Sequence, residues 1–198
     1  KFMERFLHNW REFEVKLEKV ARDGEVNVLI VTQRPNMART LANVIAKEKI
    51  SEFDGLYKAC PVYCFESKFK EFVANVKITS VDGSMYNINF PDTVDQTNID
   101  PKDLFTEETV KDPVSKLLCK HIQMCSRKAD VLILWTDMSP EGENICFDII
   151  DNVKPKLPTP IEDYIFRAKY KSLSSNEIIR SFGNLRHKPN EYESLYVD

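Results

Sequence analysis

Asp137, Glu141 and Glu143 follow an apolar run in "ADVLILWTDMSPEGENICFD" (129–148). Clustered carboxylates at the end of such a run are suited to a hard divalent cation, because Mg²⁺ prefers charged oxygens in a near-octahedral array. Ser139 and Pro140 interrupt the cluster. Serine is a strong helix N-cap, proline carries the fixed φ of a first helical position, and a glutamate in the first turn is favoured by the helix dipole. The same stretch therefore reads as a stabilised helix start, with about 1 kcal/mol from the cap alone. Glu141 and Glu143 have an ordinary explanation there, as solvated acids at a helix N-terminus. A second set of residues is polar or basic: Gln33 and Arg34 directly after "VNVLIVT" (26–32), Arg39 a turn later, and Arg167 and Lys169 in "YIFRAKYKSL" (164–173). Cations of this kind are candidates for phosphate contact.

The elements that must position these residues follow from periodicity. The β-branched run 26–32 and "ADVLILWT" (129–136) have the continuous apolar character of strands buried on both faces, as in a parallel sheet. After the first, Pro35 opens a helix with Met37, Leu41, Val44 and Ile45 on one face. "FVANVKITSVDGSMYNINF" (72–90) alternates and breaks at Asp82-Gly83, which predicts strands joined by a turn. Residues 91–112 are expected to be loop with a short helical turn over 101–105. Asp112 and Pro113 then look like the cap and first position of a helix. A helix is expected over 141–153, a stiff connector in "KPKLPTP" (154–160), a last strand over 164–173, and a helix in which Ser174 and Glu177 form a capping box. Strands alternating with helices predict an α/β domain with a mainly parallel sheet flanked by helices, and ligands collect at the carboxyl ends of such strands.

Ahead of this domain, Met3, Phe6, Trp10, Phe13, Leu17 and Val20 recur at spacings of three and four, and Asp23-Gly24 closes the pattern. Residues 1–24 are thus an appended amphipathic helix, and 25–198 the main domain. The seam formed by Met3, Phe6, Trp10, Phe13 and Leu17 is rich in aromatics. It has two readings: docking on the domain's own body, or binding a protein partner or a second copy.

Composition narrows the functional class. In 198 residues, 28 Lys and Arg stand against 31 Asp and Glu, a formal charge of −3 that withholds the broad basic footprint of a strong nucleic-acid binder. Only weak DNA or RNA binding through Arg34, Arg39, Arg167 and Lys169 is compatible with it. No apolar run approaches the roughly 20 residues of a membrane span, so no membrane role is expected. The five cysteines form no Cys-x-x-Cys pair, and Cys119, His121 and Cys125 share a helix face only in part, so no zinc site is signalled. The chain begins at Lys1 and is expected to be a piece of a longer protein.

Five co-linear segments carry a resemblance. "VLIVTQRPNMARTLA", "KITSVDGSMYNINFP", "IDPKDLF", "VLILWTDMSPEGENICFDIID" and "FRAKYKSLSSNEI" are similar, in order and spacing, to the Toprim domain of type IA DNA topoisomerases. The likeness is closest to the topoisomerase III beta branch and extends over roughly residues 26 to 198. It implies a Toprim-like fold and a setting, nuclear or cytoplasmic, in which DNA or RNA is handled. In that family a glutamate of the first motif and an Asp-x-Asp pair hold Mg²⁺ beside the cleaved phosphodiester. Basic residues contact phosphate, and a tyrosine of a separate domain is the nucleophile.

Here Gln33 stands where that glutamate belongs, Asn36 where serine does, Ser84 for histidine, Ser139 for the second aspartate and Pro140 for the basic residue, whereas Arg34, Asp137, Glu141 and Glu143 keep their type. Losing two of the three carboxylates that would ligate the ion removes most of the attraction that offsets Mg²⁺ dehydration. Gln33, Asp137, Ser139, Glu141 and Glu143 are therefore expected to be vestigial, with no catalytic residue, metal or cofactor. The domain is expected to be an inactive scaffold for protein or nucleic acid. The alternative is a residual Mg²⁺-dependent topoisomerase or nuclease using Asp137, Glu141 and Glu143. Tyr170, Tyr192 and Tyr196 are assigned packing or surface roles.

Overall fold

The apolar run 26–32 forms the centre of the sheet. In the computed structural model, which describes residues 18–90, 109–187 and 189, β1 (Glu25–Thr32) pairs in parallel with β4 (Phe72–Ser80) on one side and β7 (Val131–Trp135) on the other. Beyond β4 lie the antiparallel β3 (Val62–Phe69) and β2 (Ser51–Phe53). Beyond β7 lie the parallel β8 (Ile165–Arg167) and the antiparallel β9 (Arg186–His187). The order β2-β3-β4-β1-β7-β8-β9 is parallel at its core and antiparallel at both edges. The expectation of a mainly parallel sheet flanked by helices holds.

Two cores follow from the alternation of side chains across the sheet. On one face Val28, Ile30, Val76, Ile133 and Trp135 pack under α1 (Pro35–Ile45) and α4 (Ser175–Gly183). On the other, Leu29, Val31, Leu132 and Leu134 pack under α2 (Lys116–Cys125) and α3 (Pro140–Val153). The chain therefore leaves β1 toward one face and β7 toward the opposite face. Adjacent parallel strands whose connections diverge open a crevice at their carboxyl ends. That crevice lies between Gln33 and Asp137.

Several local expectations change. Val110–Pro113 is a strand, β6, paired with β5 (Tyr86–Asn89) in a separate two-stranded sheet, and α2 starts at Lys116, where the Ser115 hydroxyl accepts the Leu118 N–H. Asp112-Pro113 carries a helix-start signal, but pairing with β5 overrides it. The strand expected over 164–173 shrinks to Ile165–Arg167 and is not the last, since β9 follows it. The capping box is half present: Ser174 accepts the Glu177 N–H, while the Glu177 carboxylate turns to the Lys171 N–H and to Arg180. β3 was hidden in a stretch whose only signal is the alternation of Tyr63, Phe65, Ser67 and Phe69. His121 points inward, with its Nε2 2.8 Å from the Thr79 hydroxyl, and burial lowers its pKa.

Residues 18–20 are helical, Asp23 and Gly24 both adopt positive φ, and Val20 packs against the α1 face of the core. Met3, Phe6, Trp10, Phe13 and Leu17, the 101–105 turn, Tyr192 and Tyr196 lie outside the described residues.

Candidate functional site

Gln33, 3% exposed, closes the crevice rather than lining it. Its Oε1 accepts the Asp137 N–H at 3.0 Å and ties the end of β1 to the end of β7. Its carbonyl accepts the Gly83 N–H at 2.9 Å, drawing in the turn after β4, where Asp82 and Gly83 have φ of 58° and 102°.

Asp137 is hydrogen-bonded through its backbone and one carboxylate oxygen. Its carbonyl accepts from Arg167 Nη2 at 2.9 Å, Oδ1 accepts the Tyr170 hydroxyl at 3.0 Å, and Oδ2 lies 3.6 Å from Arg34 Nη2. The Arg34 contact is solvent-screened and weak. The Tyr170 contact is better sheltered: its ring lies 6.0 Å from that of Trp135, and burial first, then the Asp137 carboxylate, push its pKa up. Tyr170 thus both packs and holds Asp137. Sequence reasoning missed that bond, because its partners lie 33 positions apart.

The loop after Asp137 is built as a helix start. Ser139 Oγ accepts the Gly142 N–H at 3.1 Å, Pro140 is the first residue of α3, and Glu141 is exposed. The buried Thr136 hydroxyl donates to the Gly142 carbonyl at 2.8 Å and sits 3.1 Å from Cys146 Sγ, a thiol whose pKa burial pushes up to about 11. Gly142 is required there, since a Cβ would fall 2.0 Å from the Asp137 carbonyl oxygen.

Two expectations are corrected by burial. Glu143 is no solvated acid at a helix start, and Arg167 is no surface contact for phosphate. Both side chains are 0% exposed and paired, Arg167 Nε to Glu143 Oε1, at 2.9 Å. The guanidinium also donates to the carbonyls of Leu134, Thr136 and Ala168. Arg39 is tied to Tyr63 and Glu52 at the β2–β3 edge, and Lys169 is half-buried. Of the four expected phosphate contacts, Arg34 alone lies at the crevice with an exposed side chain. Asn36 and Ser84 are exposed. Among the described residues no three of His, Cys, Asp and Glu form a group that could hold a metal ion.

A parallel-centred sheet with its polar cluster between the ends of β1 and β7 defines the class: the chain belongs to the Toprim domain family, whose model matches residues 28–173. It is similar to DNA topoisomerase 3-beta of Arabidopsis thaliana, 30% identical over 176 residues that cover 87% of this chain and 20% of that protein. It is also similar to DNA topoisomerase 3-beta-1 of Homo sapiens, 31% identical over 177 residues (86% of this chain, 20% of that protein). DNA topoisomerase 3-alpha of Drosophila melanogaster is 26% identical over 180 residues (86% and 14%). The chain spans about a fifth or less of the length of these relatives. Among the described residues, no helix is long and apolar enough to cross a membrane.

Proposed function

We propose that this Toprim domain is catalytically inactive and serves as a scaffold associated with nucleic acid or protein, in a nuclear or cytoplasmic setting. The observation that carries the reading is the state of the strand ends. Gln33 Oε1, Ser139 Oγ and the Asp137 and Glu143 carboxylates are each engaged by groups of the chain itself. A divalent ion using these four groups would have to compete with a hydrogen bond or buried salt bridge at Gln33, Ser139, Asp137 Oδ1 and Glu143, and only two of the four groups are charged. These residues do not fit the Mg²⁺ that the family resemblance implies.

Titration calorimetry of the domain with Mg²⁺ and Mn²⁺ is expected to show no saturable heat in the micromolar to low-millimolar range. Saturable binding, together with strand scission, would establish the other reading, a residual metal-dependent topoisomerase or nuclease using Asp137, Glu141 and Glu143.

The relatives are DNA topoisomerases, and Arg34, with Arg39 and Lys169, is proposed to give this domain weak, non-specific association with DNA or RNA. Such binding must fall steeply with salt because it rests on counterion release; no retention at low salt in a filter assay would end it. The seam Met3, Phe6, Trp10, Phe13 and Leu17 is proposed as the surface for a protein partner or a second copy. Light scattering on the domain with and without residues 1–17 tests the self-association arm, and an unchanged mass argues against it.

A further inference from the structure

We infer that the domain carries a docking basin for an acidic polypeptide segment, on the half of the sheet that lies away from the crevice. The inference goes beyond the scaffold reading, because it names a surface and the chemistry of its partner, and it stands whether or not the strand ends take a metal.

The basin, of about 530 Å³, opens on the α2 face of the sheet, where α2 stops at Cys125 and does not cover the first half of β1 and β4. Its floor is β3, β4 and β1, which contribute Cys64, Lys77 and Asn27. One wall is the chain that enters β2, with Lys49 and Ser51. The other is the turn after α2, with Arg127 and Lys128, which is held to β1 by the Asp130 N–H on the Asn27 carbonyl at 2.8 Å. Three strands set the walls about 10 Å apart, the span of one extended chain or one helix. The crevice, at the carboxyl end of β1, lies roughly 15 Å from Asn27.

Four cations, Lys49, Lys77, Arg127 and Lys128, line the basin against two carboxylates, Glu48 and Glu66, in a chain whose formal charge is −3. Among the described residues none of the four is paired with a carboxylate, whereas Arg34, Arg39 and Arg167 are. Lys77, half-buried in the floor, donates to the Cys125 carbonyl at 3.3 Å, and its other N–H groups have no acceptor among the described residues. A concave surface with an excess of one charge concentrates its field and draws the opposite sign. Two features favour a polypeptide over a nucleic acid. Glu48 and Glu66 stand among the cations, where they oppose a phosphate at every nucleotide but can be straddled by a peptide whose acidic residues are spaced. No ring is offered for base stacking either, since Phe65, the one aromatic residue of the lining, is buried in the core under α1.

Fluorescence anisotropy on the whole chain, with a short labelled peptide alternating glutamate and glycine, tests this. At low salt the peptide is expected to bind, and its counterpart with glutamine for glutamate is not. Arg127→Glu with Lys128→Glu is expected to weaken binding about tenfold, and Glu48→Gln with Glu66→Gln to strengthen it about threefold. All four side chains are exposed, so these variants are expected to melt with the parent. Lys154→Glu, at an exposed lysine just after α3, is the control and is expected to leave the affinity unchanged. The inference is overturned by absence of binding, by an equal loss in Lys154→Glu, or by a single-stranded oligonucleotide that binds more tightly than the peptide and is released by the Arg127, Lys128 reversal. It is also overturned by a doubled mass in light scattering that the same reversal abolishes, which would make the basin a contact between copies. The calorimetric response to Mn²⁺ decides the metal-free reading separately.

Discussion

Gly142→Ala is expected to be among the most damaging single-methyl changes in the domain, costing about 3–5 kcal/mol and lowering the thermal midpoint by roughly 10 °C. The added Cβ would sit 2.0 Å from the Asp137 carbonyl oxygen, and that oxygen accepts a hydrogen bond from Arg167. Flexible side chains can swing away from an intruding methyl, but a backbone carbonyl in a bonded loop cannot. Relief requires moving either the first turn of α3 or the end of β7, and either movement leaves part of the buried guanidinium unsatisfied. Gly183→Ala is the control. It ends α4 with nothing within 4 Å of the new atom, so alanine there is expected to be neutral or to stabilise by up to about 1 kcal/mol. Thermal unfolding followed by circular dichroism compares the two, and equal midpoints would mean that the Asp137–Gly142 contact is not tight.

The double variant Gln33→Glu, Ser139→Asp is expected to gain a response to manganese that the parent lacks. Both changes suit the local structure. Aspartate caps a helix about as well as serine, so the Gly142 N–H keeps its acceptor, and a glutamate at 33 still accepts the Asp137 N–H. What changes is charge, because two carboxylates join Asp137, itself 38% exposed, at one crevice. Without metal, the glutamate at the buried position 33 is desolvated and lies beside the Asp137 carboxylate, costs of at least about 1 kcal/mol each, so the variant should melt below the parent. With Mn²⁺ at a hundredfold excess over its Kd, binding stabilises by about 2.7 kcal/mol, or roughly 5–10 °C. A variant that melts lower yet ignores manganese would show that the two loops no longer hold oxygens at metal-binding distance, and that charge is not what the parent lacks.

These expectations draw on different depths of the sequence. The central strands were legible because an unbroken β-branched run needs burial on both faces, and β1 and β7 have it. The cap at Ser139 was legible because its bond to Gly142 spans three residues. The same kind of local signal misled at Asp112-Pro113, where pairing of β6 with β5 outweighed a turn chemistry that also suits a helix start. The largest misreading was of Arg167. An arginine among other cations is expected at the surface, and the acid that draws it inside lies 24 positions away. Tyr170 and Asp137 are 33 apart, and Gln33 and Asp137 are 104 apart.

Periodicity, caps and strand-end positions are properties of neighbours along the chain, so the order of residues alone determines the central strands, most of the helices and the place of the crevice after Thr32 and Thr136. Whether a charged side chain there faces solvent or is sealed into the fold is another matter. It depends on the balance between desolvation and partners supplied by other elements, and those partners are assembled only when β1, β7, β8 and α3 come together.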